Sequence, residues 1–204
     1  MLWMLEQEML SKLIFPLGEL KKSEIRDSAK SKGMSSAAYK DSTDICFIED
    51  GDYANWLMLN GVNLPSGMFI HADGRNLGPS KSIVNYTVGQ RRGLNLAMDK
   101  SVYVTKIDPN NNIVVVDYEE GLYKKSFKIN KLNFVGLNPN LEYNEPLYVK
   151  IRYRSKPQLC KLNFDSDFCT VTTLDEPFKA ITPGQSAVFY DKKGHILLGG
   201  FIYE

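Results

Sequence analysis

Apolar positions near the start of the chain recur at helical spacing. Leu5, Met9, Leu10 and Leu13 fall on one face of a helix running from Trp3 to Leu13. Phe15-Pro16-Leu17-Gly18 breaks it, and a second helix is expected from about Ser23 to Lys32, with Glu24 in its first turn and Gly33 as its stop. Asp41 to Glu49 encloses a short apolar run, Ile45-Cys46-Phe47-Ile48, between acids, and Asp52 to Leu59 predicts one more short helix. Beyond this the period changes to alternation. Met68-Phe69-Ile70 runs into the hairpin signal Asp73-Gly74, and Ser101 to Ile107 and Ile113 to Val116 flank the turn Pro109 to Asn112. Further strands are expected at Ser126 to Phe134, Pro146 to Arg154, Leu159 to Phe164, Phe168 to Leu174, Ser186 to Tyr190 and His195 to Tyr203. Short strands at such intervals predict a small antiparallel barrel. The fold class is therefore mainly β with an N-terminal helical segment, a small β-rich central domain and a C-terminal antiparallel β-barrel. The boundaries implied are 1–52, 53–124 and 125–204.

Composition narrows this little: 204 residues, 43% hydrophobic and 24% charged, describe an ordinary globular chain with material for one or two cores. No apolar stretch is long enough to span a membrane, and Glu6 and Glu8 interrupt the N-terminus where a signal peptide would be apolar. A cytoplasmic protein is the expectation. The net charge of +1 means that affinity for nucleic acid must come from local clusters of Lys and Arg. Three cysteines and two histidines are too few and too scattered for a disulfide scaffold or a metal centre.

Three tracts carry candidate chemistry. If Pro146 to Arg154 is a strand, alternation places Lys150, Arg152 and Arg154 on one face, a cationic stripe about 14 Å long at roughly 3.4 Å per residue, with Lys156 just beyond. Such a stripe can track phosphates, because three like charges on one strand face repel unless a polyanion relieves them. The plain reading is a solvated strand face. In Tyr86 to Leu94, the sequence Gly89-Gln90-Arg91-Arg92-Gly93 offers two guanidinium groups beside glycines that let a phosphate approach the backbone; the plain reading is a turn with two solvated arginines. No Gly-Lys-Ser/Thr follows, so it is not a P-loop. Cys46 sits in an apolar run beside acids, and local chemistry alone reads it as a small buried hydrophobe. Cys160 and Cys169 alternate with strand apolar residues and read as core, and His71 and His195 have no partner in the sequence.

These tracts occur in a telling order. Phe15-Pro16-Leu17-Gly18-Glu19, Asp41-Ser42 with Ile45-Cys46-Phe47-Ile48, Tyr86 to Leu94, Arg152-Tyr153-Arg154, Thr182-Pro183-Gly184-Gln185 with Ala187-Val188-Phe189-Tyr190, and Leu198-Gly199-Gly200 together resemble the tRNA 2-thiouridylases over essentially the whole chain. The resemblance implies an enzyme that thiolates C2 of the wobble uridine. In that family a PP-loop domain uses ATP to adenylate the uridine oxygen, a cysteine persulfide supplies the sulfur, and a second cysteine resolves the intermediate. Carried over, Cys46 is the persulfide-bearing residue, and Arg152, Tyr153 and Gln185 touch tRNA. A sulfur-donor protein is the implied further partner.

The ATP-binding Ser-Gly-Gly-x-Asp-Ser loop does not occur in these 204 residues, so as given the chain is expected to be inactive and to bind no ATP. Pro79-Ser80-Lys81-Ser82, Leu197 and Phe201 also depart from the family pattern, without removing a catalytic group. The competing readings are a stand-alone RNA-binding barrel in which Cys46 is only packing, and a protein-interaction barrel with no RNA role.

Overall fold

A computed structural model describes residues 2–38, 48, 52–136 and 146–203. They form two units: Glu8–Asn63, and Met1–Gln7 together with Leu64–Glu204. Cys46 and most of its motif lie outside the described residues.

The smaller unit is helical. Helix α1 spans Gln7–Ser11, and α2 spans Lys22–Ser31, where the Lys21 amide donates to the Glu24 carboxylate at 2.6 Å. That bond satisfies one of the amides a helix start leaves open. Helix α3, Tyr53–Leu59, is capped by Asp52, which accepts from the Asn55 amide at 3.0 Å.

The expected helix from Trp3 to Leu13 does not form as one element. Leu2–Met4 is a 3-10 turn, separate from α1. Trp3 is 2% exposed, with its ring edge on Phe201 at 5.2 Å. The Asn133 side chain donates to the carbonyls of Trp3 and Leu5 at 2.7 and 3.2 Å. Burying an indole against the strands outweighs completing a marginal helix of three turns.

In the larger unit, β1 (Gly67–His71), β2 (Asn76–Ser80), β3 (Tyr103–Asp108) and β4 (Ile113–Asp117) make a sheet in the order β2-β1-β4-β3. Both predicted hairpins are present as antiparallel pairs, while β1 runs parallel to β4. Pro79 is tolerated because β2 is an edge strand. Phe69, Val104, Val114 and Val116 form the core of this sheet, with Tyr86 and Leu94 folded over it from the following loop.

The strands β5 (Tyr123–Lys124) and β10 (Phe178–Lys179) pair as a short ribbon. The remaining strands are β6 (Ser126–Phe134), β7 (Leu147–Lys150), β8 (Gln158–Phe164), β9 (Cys169–Thr173), β11 (Ser186–Tyr190) and β12 (Ile196–Ile202). They close in the order β11-β12-β6-β9-β8-β7, every neighbour antiparallel, so the predicted barrel is the observed one. Alternation fills its interior: Phe127 and Ile129 of β6, Leu147 and Val149 of β7, and Ala187 and Phe189 of β11 all point in.

One strand is shorter than its alternation suggests. β7 ends at Lys150, and residues 151–155 turn. The register Leu147↔Cys160, Tyr148↔Leu159, Val149↔Gln158 stops there, and Lys150 pairs only with Val188 of β11 on its other side. A turn replaces the ladder, the Ser155 hydroxyl donating to the Arg152 carbonyl at 2.8 Å. The cationic stripe on one strand face is therefore not built: Arg152 and Arg154 leave the strand direction that Lys150 keeps.

Candidate nucleic-acid interface

Leaving the strand turns Arg152 towards its own protein. Its Nη2 donates to the Ala180 carbonyl and the Thr182 hydroxyl, both at 2.9 Å, and to the Val88 carbonyl at 3.2 Å. Three separated tracts of the sequence thus meet at one guanidinium: the Tyr86–Leu94 loop, the turn after β7 and the Thr182–Gln185 turn. Val88, Leu122 and Ala180 form a small apolar cluster beside it, with Tyr103 of β3 packed on. Sheet and barrel are joined here by both apolar and polar contacts.

Each tract is shaped locally to reach that point. Ala180, at φ 55°, holds a left-handed backbone that an alanine enters at some strain. Its amide donates to the Leu122 carbonyl at 2.8 Å while its own carbonyl receives Arg152. Gly89 has φ 91°, and a Cβ there would stand 3.1 Å from the Ala180 methyl, so glycine meets both a conformational and a spatial demand. Gln90 closes the loop from inside. Its Oε1 accepts from the Thr87 amide at 3.0 Å and its Nε2 donates to the Arg92 carbonyl at 3.0 Å. Arg91 and Arg92 are left exposed.

Of the residues singled out from sequence, Arg152 is committed inward through one nitrogen. Tyr153 is 92% exposed, with the Lys150 ammonium 5.8 Å from its ring centre. Gln185 is exposed in a turn fixed by backbone bonds, its amide donating to the Thr182 carbonyl at 3.2 Å and its carbonyl accepting from the Ile202 amide at 2.8 Å. An exposed tyrosine beside a lysine and an exposed amide on a fixed turn can stack on a base and hydrogen-bond to its edge. The part played by Gln90 and Ala180 was not readable from sequence. A glutamine between glycines in a tight loop was the available signal for the first, and nothing marks the second.

Cys160 and Cys169 are completely buried in the barrel, and burial pushes both thiols up to about 12, as befits inert core residues. His195 sits in the β11–β12 turn with Nδ1 2.9 Å from Asp191. Buried His71 lies 2.9 Å from Asp73 through Nδ1, while its Nε2 has no hydrogen-bond partner among the described residues. Among the described residues no group of His, Cys, Asp and Glu could hold a metal ion, and no helix is long and apolar enough to cross a membrane.

A closed six-stranded β-barrel following a mixed four-stranded sheet and a helical segment is the class that this fold defines. Comparison with known sequences is more specific. Residues 1–50 match the profile described as tRNA methyl transferase HUP domain, 59–117 the tRNA methyl transferase PRC-barrel domain, and 124–202 the aminomethyltransferase beta-barrel domain. The tRNA-specific 2-thiouridylase MnmA 2 of Caldanaerobacter subterraneus subsp. tengcongensis is 39% identical over 204 residues, covering 100% of this chain and 55% of the relative. The tRNA-specific 2-thiouridylase MnmA of Chlorobium luteolum is 40% identical over 211 residues, again 100% of this chain and 57% of the relative. That of Leptospira interrogans is 39% identical over 204 residues, 98% of this chain and 54% of the relative. The chain belongs to the tRNA-specific 2-thiouridylase family, and it spans a little over half the length of these curated relatives.

Proposed function

We propose that this chain supplies the tRNA-gripping and sulfur-carrying part of a tRNA 2-thiouridylase. The observation that supports it best is the convergence of the Tyr86–Leu94, Arg152–Arg154 and Thr182–Gln185 tracts on one guanidinium, with Tyr153, Gln185, Arg91 and Arg92 exposed around them. In this reading Arg152 fixes the surface and offers its remaining donors to the phosphate backbone. Tyr153 stacks on a base and Gln185 reads a polar edge. Cys46 carries a persulfide received from a sulfur-donor protein, and its outer sulfur attacks C2 of the wobble uridine. A second cysteine in the longer protein then attacks Cys46, breaking the S–S bond, leaving the sulfur on C2 and forming a disulfide between the two cysteines. The C2 oxygen, activated as an adenylate by ATP in the longer protein, leaves with AMP. The setting is the cytoplasm.

The profile descriptions speak of methyl transfer and the relatives of thiolation; the thiolation names belong to similarities that extend over nearly the whole chain. A second reading, a stand-alone RNA-binding module, is favoured by the same surface if Cys46 plays no part.

Two measurements test these readings, the second of which separates them. Unmodified tRNA transcript should bind the chain with a salt-dependent affinity, and Tyr153→Ala should weaken binding by about 1–3 kcal/mol, the range for losing one stacked base. In a longer protein that thiolates tRNA, Cys46→Ser should abolish 2-thiouridine formation while tRNA binding persists, because serine cannot hold a persulfide. Continued thiolation by that variant would leave only the binding module.

A further inference from the structure

Between sheet and barrel lies a cleft of about 690 Å³. Tyr86, Thr87, Val88 and Lys106 line it from the sheet side; Lys124, Ile181, Thr182, Pro183 and Tyr203 line it from the barrel side. Its two walls are not free to drift apart. Arg152 ties Val88 on one wall to Ala180 and Thr182 on the other, so the opening is built into the fold. Its volume falls in the roughly 300–1,000 Å³ range of small-ligand sites.

The lining specifies what could enter. No Asp or Glu is among the described residues that line the cleft, which argues against a cationic ligand. The nearest acid in sequence, Asp108, accepts from the amides of Asn110 and Asn111 at 3.0 and 3.3 Å and from the Asn111 side chain at 2.9 Å, so it is turned back into its own hairpin. Ile107, Pro109, Ile181 and Pro183 offer apolar surface, and Tyr203 is 51% exposed with its ring braced on Phe168 at 4.7 Å. Lys106 and Lys124 are exposed. A flat apolar body with a π-face, attached to an anion, satisfies every part of this lining. We infer that the cleft accepts an unstacked nucleotide of RNA, its base on Tyr203 and its phosphates between Lys106 and Lys124. This rests on the RNA-binding reading and adds a second point of contact, separate from Tyr153 and Gln185.

Tyr203→Trp provides the probe, read against the parent chain, whose own Trp3 and Trp56 set the background. Titration with a uridine heptanucleotide, and separately with unmodified tRNA transcript, should quench the added indole to saturation. In the same titrations Lys106→Ala and Lys124→Ala should each lower the slope of log affinity against log salt by about 0.7, the contribution of one single-strand phosphate contact. Both lysines are exposed, so their removal leaves the fold intact. If tRNA binds but the indole is not quenched and neither slope changes, the cleft inference is overturned while the RNA-binding reading stands. Quenching by free uridine monophosphate as strong as by the heptanucleotide would also overturn it, in favour of a free-nucleotide site. Failure of the parent chain to bind tRNA even at low salt removes both together.

Discussion

Arg152 presents two hydrogens on Nη2 to three acceptors, so at least one of those bonds is shared. Lysine could not reproduce this from the same stem, because its ammonium lacks the fixed fork of a guanidinium. We expect Arg152→Ala and Arg152→Lys both to destabilise the chain in urea by about 1–3 kcal/mol, the scale of losing charge-assisted bonds to partly buried acceptors. Unchanged stability in both would return Arg152 to the role its sequence suggested, a solvated cation. The one-face stripe was a fair reading of Lys-Ile-Arg-Tyr-Arg, and it failed for a local reason. Alternation says which face a side chain takes only while the strand lasts, and β7 ends at Lys150, two residues before Arg152. The exposure of Gln185, by contrast, follows from the turn that Pro183-Gly184 announces, whereas Tyr153 was expected inside the strand and stands 92% exposed in the turn that replaces it. Their proposed contact with tRNA came from family likeness; neither residue type implies it alone.

At the scale of elements, what was legible tracks how local the signal is. Hairpins joined by Asp73-Gly74 or by Pro109 to Asn112 need only neighbouring residues, and both formed. The parallel pairing of β1 with β4 joins strands more than 40 residues apart and has no such signature. Trp3 shows the same limit: it was expected to open the helix that Leu5, Met9, Leu10 and Leu13 mark, yet its partner is β12. The contact is close enough that a Cβ at Gly199 would lie 2.3 Å from the indole Cδ2. Trp3→Ala should therefore cost about 3–5 kcal/mol. Gly199→Ala should evict the ring and lose much of the same energy. In the double variant the second change should add little, giving a coupling of at least about 1 kcal/mol by urea denaturation. Additive effects would mean that the ring and the glycine do not share the space the geometry gives them.

The whole barrel has no edge strand, and that bears on how it can open. Closure runs through β7, which meets β8 through three residue pairs and β11 through three more. If any strand could peel away below the energy of global unfolding, it would be this one, and Cys160, opposite Leu147 of β7, would be uncovered first. Cys169 lies between β6 and β8, on the far side of that seam. A closed sheet loses hydrogen bonds on both sides of a departing strand, so we expect no such intermediate, and both thiols to become reactive only when the barrel unfolds. The pH of the test follows from their ionisation. Burial raises both native thiols to about 12 against a usual 9.0. That preference for the protonated fold is present in full below pH 9 and is lost as pH rises towards 12, so thiol ionisation does not shift the unfolding equilibrium at pH 8. At pH 8, with alkylation followed by mass spectrometry across a urea series, the peptides bearing Cys160 and Cys169 should label with the same free energy of opening. The two should also share one denaturant slope, equal to that of global unfolding by circular dichroism. Labelling of Cys160 at lower urea, or with a shallower slope than Cys169, would show that β7 detaches alone and that the barrel is held shut at its shortest strand.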